Sequence, residues 1–350
     1  MTPARFVPVP KAAPGDRVAV LSPAFAAPAV SAAVHEQAMR RLTEVTGLIP
    51  VEYPTTRQLG ASAEARATDV NAAFADPSIR AVLATIGGDD QVTVIPHLDD
   101  DVIASNPKPF LGYSDNTNLH NHLWRLGVPS FYGGSTQVHL GAGPGVDDIH
   151  QRSLKAALLD GDWIALTEPG EAEDFGMPWT DPRALTEFGL REPTEPWTWS
   201  GPATVAEGPT WGGCIEVIDQ LALADRMPAT DDLEGTVLLL ETSEELPDAD
   251  QVMRWVRGLG ERGILSVVAG VLVARPPVSE LNSPVPSPAE RARLRAAQRD
   301  AVIEQVTRYN PDAVVCVGVP FGHTRPQWIV PFGGRVRLDG VEHTVTADYS

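Results

Sequence analysis

Cysteine is scarce: only Cys214 and Cys316 occur in 350 residues. Two thiols cannot build a disulfide framework and no C-x-x-C pair is present, which fits a reducing compartment. Lysine is nearly as rare, with Lys11, Lys108 and Lys155 alone among a basic set that is otherwise arginine. All basic residues together number 27 against 46 acidic ones, a formal charge of -19. That balance excludes nucleic acid and anionic membrane surfaces as natural partners, because both reward basic patches. Long hydrophobic runs are missing too. The longest, Ile264–Ala274, is too short to span a bilayer. Residues Met1 to Lys11 carry prolines and no apolar core of a signal peptide. A soluble cytoplasmic protein is the expectation. No H-E-x-x-H, no metal-spaced His/Cys cluster and no G-x-G-x-x-G occurs. His120 and His122 are two apart on an expected helix and point to different faces. Neither a metal nor a cofactor is therefore expected.

What the chain does have is enough apolar material for a large core, at 43% hydrophobic and 21% charged residues. Its length suits two domains. The first half alternates strands and helices. Strands are expected over Arg17–Ser22, Leu48–Tyr53, Ala81–Ile86, Pro109–Leu111 and Val128–Tyr132. Helices are expected over Ala33–Thr46, Ala63–Ala75, about Asn116–Leu126 and Asp147–Leu159. Such alternation predicts a parallel sheet covered on both faces, a Rossmann-like or flavodoxin-like α/β domain over residues 1–167. Residues 168–208 are rich in Pro, Glu and Trp and read as a connecting segment that holds Trp179, Trp197 and Trp199. Residues 209–350 read as a smaller, β-rich α/β domain. It would have a glycine turn feeding a helix over Trp211–Leu223 and strands over Gly235–Leu240, Leu265–Val273 and Ala313–Gly318. Helices would cover Asp248–Gly260 and Pro286–Tyr309. A closing hairpin would pair Arg335–Leu338 with Val341–Val345 through Asp339-Gly340.

Four groups sit where apolar strands end, the position at which open parallel sheets bind ligands. They are Gly87-Gly88-Asp89-Asp90, Gly112-Tyr113-Ser114-Asp115, Glu241 and Gly322-His323-Thr324. Ser114 lies between a strand and a helix, where a sharp turn exposes the hydroxyl beside free backbone N–H groups. The G-x-S-x-G pattern fits except that Asn116 replaces the last glycine, and an ordinary helix N-cap is the plainer reading. Gly87-Gly88 reads as a plain glycine turn, as oxyanion donors, or as a phosphate loop of the kind used by NAD and lipid kinases. Asp90 and Gln91 stand where that phosphate loop has Gly and Thr, and a further carboxylate would repel phosphate. Glu241 ends a buried strand and needs a partner. It could orient a histidine, ligate a metal or join a salt bridge. Glu244 and Glu245 read as solvated, and Asp99–Asp101 as a solvated loop. His35, His97, His139, His150 and His343 have no helpful neighbours in sequence.

Together these groups resemble the LD-carboxypeptidases, the serine peptidases of the S66 type. The segments PGDRVAVLSPA, ATIGGDD, FLGYSDNTNLH, WGGCIEVIDQL, GTVLLLETSEE and VPFGHTRPQWIVPFGG follow one another in that family's order. The resemblance implies an α/β N-terminal domain, a smaller β-rich C-terminal domain and an active site between them. It also implies a homodimer and no metal. Carried over, Ser114 matches the nucleophile, Glu241 the triad carboxylate and His323 the base. The backbone N–H groups of Gly88 and Asp115 match the oxyanion hole. TIGGDD and the Trp-bearing segment resemble the microcin C immunity branch more than the murein tetrapeptide branch. That would make the substrate an aminoacyl-nucleotide rather than a small murein peptide. In that branch Trp179, in GMPWTDP, matches an aromatic that stacks on a nucleobase. A tryptophan packing the segment onto the body is the alternative.

Two departures bear on the substrate. The family's glycine turn reads G-R-x-x-G-G-N, whereas this chain has Gly208-Pro209-Thr210-Trp211-Gly212-Gly213-Cys214. Glu245 stands where a basic residue often holds an anionic ligand. A less anionic substrate is expected. Competing readings are a nucleotide-binding, kinase-like protein using the GGDD loop, and a binding protein that has lost its activity.

Overall fold

The computed structural model describes residues 6–350. The first five residues, part of the stretch that reads as lacking a signal peptide, lie outside it. No helix among the described residues is long and apolar enough to cross a membrane.

Five short strands form a parallel array: β1 (Arg17–Leu21), β2 (Ile49–Glu52), β3 (Ile79–Ala84), β4 (Phe110–Gly112) and β5 (Ser130–Tyr132). They pair in the order β5-β4-β3-β1-β2. The first two long helices between them start on side-chain caps. Ser31 accepts from the Val34 N–H and Ser62 from the Ala65 N–H, each satisfying an amide that the helix itself leaves free. Gly47 ends the helix Ala32–Thr46 at φ 73°, a conformation that favours glycine.

The remaining strands are β6 (Trp163–Ala165), β7 (Glu171–Ala172), β8 (Glu192–Pro193), β9 (Thr198–Ser200), β10 (Val205–Cys214), β11 (Val237–Glu241), β12 (Gly270–Ala274), β13 (Val314–Val319), β14 (Val330–Phe332), β15 (Arg335–Asp339) and β16 (Thr344–Asp348). Eight of them make a second sheet in the order β6-β16-β15-β10-β11-β12-β13-β9. Its centre, β10 through β13, is parallel. The flanking pairs are antiparallel. The sheets exchange strands. After β13 the chain returns to the first sheet, where β14 pairs antiparallel with β5, and β6 joins the second sheet beside β16. One buried apolar cluster runs through both, from Val18 and Leu111 to Leu239 and Val336. The site therefore lies between two sheets that share a core.

Several local expectations are corrected. Asp99 caps a short helix, Asp100–Ser105, by accepting the Val102 N–H; the charge run is a helix start. The expected glycine turn at Gly212-Gly213 is the end of the ten-residue strand β10. Both glycines have positive φ there, and a Cβ on Gly213 would lie 2.7 Å from the Thr117 hydroxyl. The run Leu265–Val273 begins as a helical turn, Ile264–Val267, and only Gly270–Ala274 pairs as a strand. The closing hairpin is longer at its tip, because His343 also adopts positive φ and β16 starts at Thr344.

Candidate active site

Ser114 follows β4, and its φ of 64° puts a non-glycine residue in the left-handed region. Such strain persists only where surroundings enforce it. Here the Ser114 N–H donates to the Tyr132 hydroxyl at 3.1 Å. On the other side Gly87 is pressed against the turn: a Cβ there would lie 2.8 Å from Ser114 Cβ and 3.0 Å from its Oγ. Gln91 ties the two loops together. Its N–H donates to the Asp115 carboxylate at 2.9 Å, and its side chain bonds Asn116 and the Leu119 N–H. The GGDD loop is thus spent on shaping the serine turn, with Asp90 paired to Arg66 at 2.6 Å. Burial pushes the Asp115 carboxyl up to about 6, against the hydrogen bond from Gln91. No protein acceptor among the described residues takes the N–H of Gly88 or Asp115.

Glu241 ends β11 and is buried. Its Oε2 meets His323 Nδ1 at 2.6 Å, and its Oε1 accepts from the Tyr132 hydroxyl at 2.6 Å. The close approach requires Gly322, where a Cβ would lie 2.7 Å from Glu241 Oε2. His323 sits on the loop after β13, with the Tyr113 ring packed edge-on at 4.9 Å. Its second nitrogen, Nε2, faces the Glu244 carboxylate at 3.1 Å. Burial works against charge on this ring, but Glu241 and Glu244 together hold the imidazole well above its ordinary value. Neighbouring protein partly desolvates Glu244 and opposes its ionisation although its side chain is 70% exposed, yet the bond to His323 holds that carboxyl down to about 2.

Ser114, Gly88, His323 and Trp179 all line one cleft of about 590 Å³. Glu241 stands behind His323, and Asp115 turns its carboxylate away into the body. Residues 173–180 form one wall. Asp174 pins that wall through Arg275 at 3.0 Å and Arg295 at 2.9 Å, while Glu192 binds Arg291 and Arg295. Cys214 is buried beside this machinery, not in the cleft. Burial and the neighbouring Glu241 and Glu216 push its thiol well up, so it stays protonated and inert.

Sequence reasoning missed four residues here. Tyr132 is an unremarked strand end, yet its hydroxyl joins Ser114 to Glu241. Glu244, read as solvated, contacts the base. Gly87, rather than Gly88, abuts the serine hydroxyl. His139 lines the cleft and stacks on His150 at 4.8 Å, and burial with its charged neighbours keeps it neutral. Only the spacing of Glu244 from Glu241 within one loop offered a signal in sequence.

Comparison with known proteins yields two family matches. The LD-carboxypeptidase N-terminal domain matches residues 18–133 and the LD-carboxypeptidase C-terminal domain matches residues 207–338. A Bacillus subtilis (strain 168) protein named as a murein peptide carboxypeptidase is 26% identical over 290 residues, covering 81% of this chain and 76% of that one. The microcin C7 self-immunity protein MccF of Escherichia coli is 29% identical over 183 residues, 51% of this chain and 52% of that one. The structure of MccF in complex with glutamyl sulfamoyl guanosine has the same fold, at a TM-score of 0.81 and 21% identity over 97% of this chain and 98% of that one.

Proposed function

The chain belongs to the LD-carboxypeptidase family, and on that premise we propose that it is a serine peptidase with a Ser114–His323–Glu241 triad that works without a metal. The observation that carries this reading is the 2.6 Å contact of Glu241 with His323 Nδ1, in a cleft that also holds the strained Ser114 turn. In the reaction, Ser114 Oγ attacks the carbonyl carbon of an amide-type bond. Its proton passes to His323 Nε2 and then to the leaving nitrogen. The N–H groups of Gly88 and Asp115 stabilise the oxyanion. Water, deprotonated by His323, then releases the acyl group and restores Ser114. Glu241 fixes the ring tautomer and stabilises the imidazolium, and Tyr132 fixes Glu241.

The substrate we propose is an aminoacyl-nucleotide, cut between its acyl and nucleotide parts. Trp179 in the cleft wall supports this, since an indole there offers a nucleobase a stacking face worth about 1–3 kcal/mol. A small murein peptide is the second candidate, favoured by the Bacillus subtilis relative. Resemblance to the family supports a homodimer, and the sequence pattern supports a cytoplasmic location.

The test is turnover by mass spectrometry of wild type beside Ser114→Ala. The panel is an L,D-linked murein tetrapeptide and aminoacyl-sulfamoyl adenosines. Cleavage of the nucleotides that is lost by about 10³-fold or more in the variant, and is unchanged in EDTA, supports the reading. Cleavage that persists in Ser114→Ala overturns the assignment of the nucleophile.

A further inference from the structure

His323 has one nitrogen available for catalysis, because Nδ1 is held by Glu241. That nitrogen, Nε2, is occupied by the Glu244 carboxylate at 3.1 Å, and Ser114 Oγ makes no hydrogen bond to it. The contact is lopsided. The His323 and Glu241 side chains are 8% and 0% exposed, whereas Glu244 is 70% exposed. Glu244 can swing away without disturbing the core; its partners cannot.

The cleft offers nothing else that would draw Glu244 off. Besides His323 itself, the one cation among the described lining residues is Arg325, and every nitrogen of its guanidinium is committed. Nε bonds Asp147, Nη1 bonds the Val138 and Ala142 carbonyls, and Nη2 bonds that of Gly145. Besides Glu244, the carboxylates lining the cleft are Glu173 and Asp174. Asp174 is satisfied by Arg275, Arg295 and Ser279, while buried Glu173 has, among the described residues, only Arg191 at 3.6 Å as an ionic partner. A cleft with surplus carboxylate and no free cation disfavours an anionic acyl group and favours a positive one.

We propose that Glu244 is a specificity-determining residue that reads a positively charged amine beside the scissile carbonyl. An ammonium bound in the cleft takes the Glu244 carboxylate from His323 Nε2; the Nε2 proton, no longer held by that carboxylate, leaves to solvent, and the freed nitrogen can accept the proton of the Ser114 hydroxyl. The inference rests on the serine peptidase reading above. The free α-ammonium of an aminoacyl-nucleotide lies two bonds from the carbonyl carbon, within reach of such an exchange. A substrate without the amine leaves Glu244 on the base.

The experiment compares alanyl-sulfamoyl adenosine with its N-acetyl derivative, using wild type and Glu244→Gln. Wild type should prefer the free amine by about tenfold in kcat/KM, the scale of one charge-assisted contact. Glu244→Gln should lose that preference, chiefly by handling the acetylated compound better. A second readout does not need turnover. In Ser114→Ala, the ¹⁵N resonance of His323 Nε2 should shift on adding the free-amine compound and stay in place with the acetylated one. An equal preference in both proteins, or equal shifts with both compounds, overturns the proposal. Selective shifts without turnover in wild type support the role of Glu244 and count against the peptidase reading. Neither shift nor turnover overturns both.

Discussion

The Tyr132 hydroxyl donates to Glu241 Oε1 at 2.6 Å while it accepts the Ser114 N–H at 3.1 Å. One phenol at the end of β5 therefore spans the two sheets and couples the backbone of the proposed nucleophile to the proposed triad acid. Thr117 shares the same hydroxyl at 3.2 Å. Burial and the charge of Glu241 keep the phenol protonated, so it is a fixed donor.

Removing that oxygen leaves a buried carboxylate oxygen and a backbone N–H each short of a partner, at a cost of about 1–3 kcal/mol for each unsatisfied group. Tyr132→Phe should fold with a lower Tm. It should lose about 10–100-fold in kcat with KM little changed, because Tyr132 is not among the residues that line the cleft. Steady-state kinetics with a thermal melt checks this. A loss confined to KM would place Tyr132 in substrate binding instead.

Gly87 tests the serine turn from its other side. A methyl at this position would sit 2.8 Å from Ser114 Cβ and 3.2 Å from the Asp115 nitrogen. The clash is with a strained backbone that cannot retreat, since Tyr132 and Gln91 hold it. Gly87→Ala should therefore cost activity nearly as much as Ser114→Ala. Gly88→Ala is the comparison, where the methyl would meet Ala24 and Phe25 and the effect should include the Gly88 N–H but spare the Ser114 turn. Near-normal turnover in Gly87→Ala would mean that the turn needs no such support.

The pH profile follows from the charges around His323. Glu241 and Glu244 bond it, Tyr113 and His139 lie around it as neutral groups, and Glu245 is the next carboxylate along the loop. Both bonded carboxylates favour the imidazolium, so the free protein must lose a proton from a ring held well above 6.5 before it can act as base. The kcat/KM profile should rise with pH on that limb. Glu244→Gln deletes one anion and lowers the ring's pKa, so its limb should move to lower pH. Stability obeys the same sign. The raised pKa stabilises the fold fully below about 6.5, and that contribution fades as pH climbs through the folded value. Glu244→Gln should shrink the fall in Tm between neutral and alkaline pH. A limb that does not move would mean that Glu244 leaves the free protein's base unperturbed.

The parts of this site legible in sequence are those that local pattern dictates. Glu241 ends a buried apolar strand, His323 sits on the loop after another, and Ser114 lies between a strand and a helix; period and punctuation reveal all three. The helix Ala63–Ala75 is legible to both of its ends because Ser62 caps it and Asp76-Pro77 follows. What stays hidden depends on contacts made across the two sheets. The Tyr132 hydroxyl reaches a residue 109 positions away, and nothing near Tyr132 in sequence marks it. Glu244 looks solvated because it is mostly exposed, and its meeting with His323 depends on how the β13 loop returns. The ends of β10 mislead for another reason. Gly212-Gly213 reads as a turn, but the glycines are there so that β10 can pass close to Leu239 and Thr117.

The wall formed by residues 173–180 gives the last test. Asp174 holds it to the helix Pro288–Tyr309 through Arg295 and to the end of β12 through Arg275. The side chains of Asp174 and both arginines are buried, so salt should screen these pairs little. Arg295→Met keeps the apolar stem and deletes the charge. Arg275 still holds Asp174, so the wall should loosen rather than detach. Amide exchange in residues 173–180 should speed up. KM should rise severalfold with kcat falling less, because Trp179 would hold the substrate less firmly while Ser114, Glu241 and His323 keep their places. Raising the ionic strength on wild type should not reproduce the effect. Faster exchange with an unchanged KM would mean that the wall bounds the cleft without contacting substrate, and it would return Trp179 to a packing role.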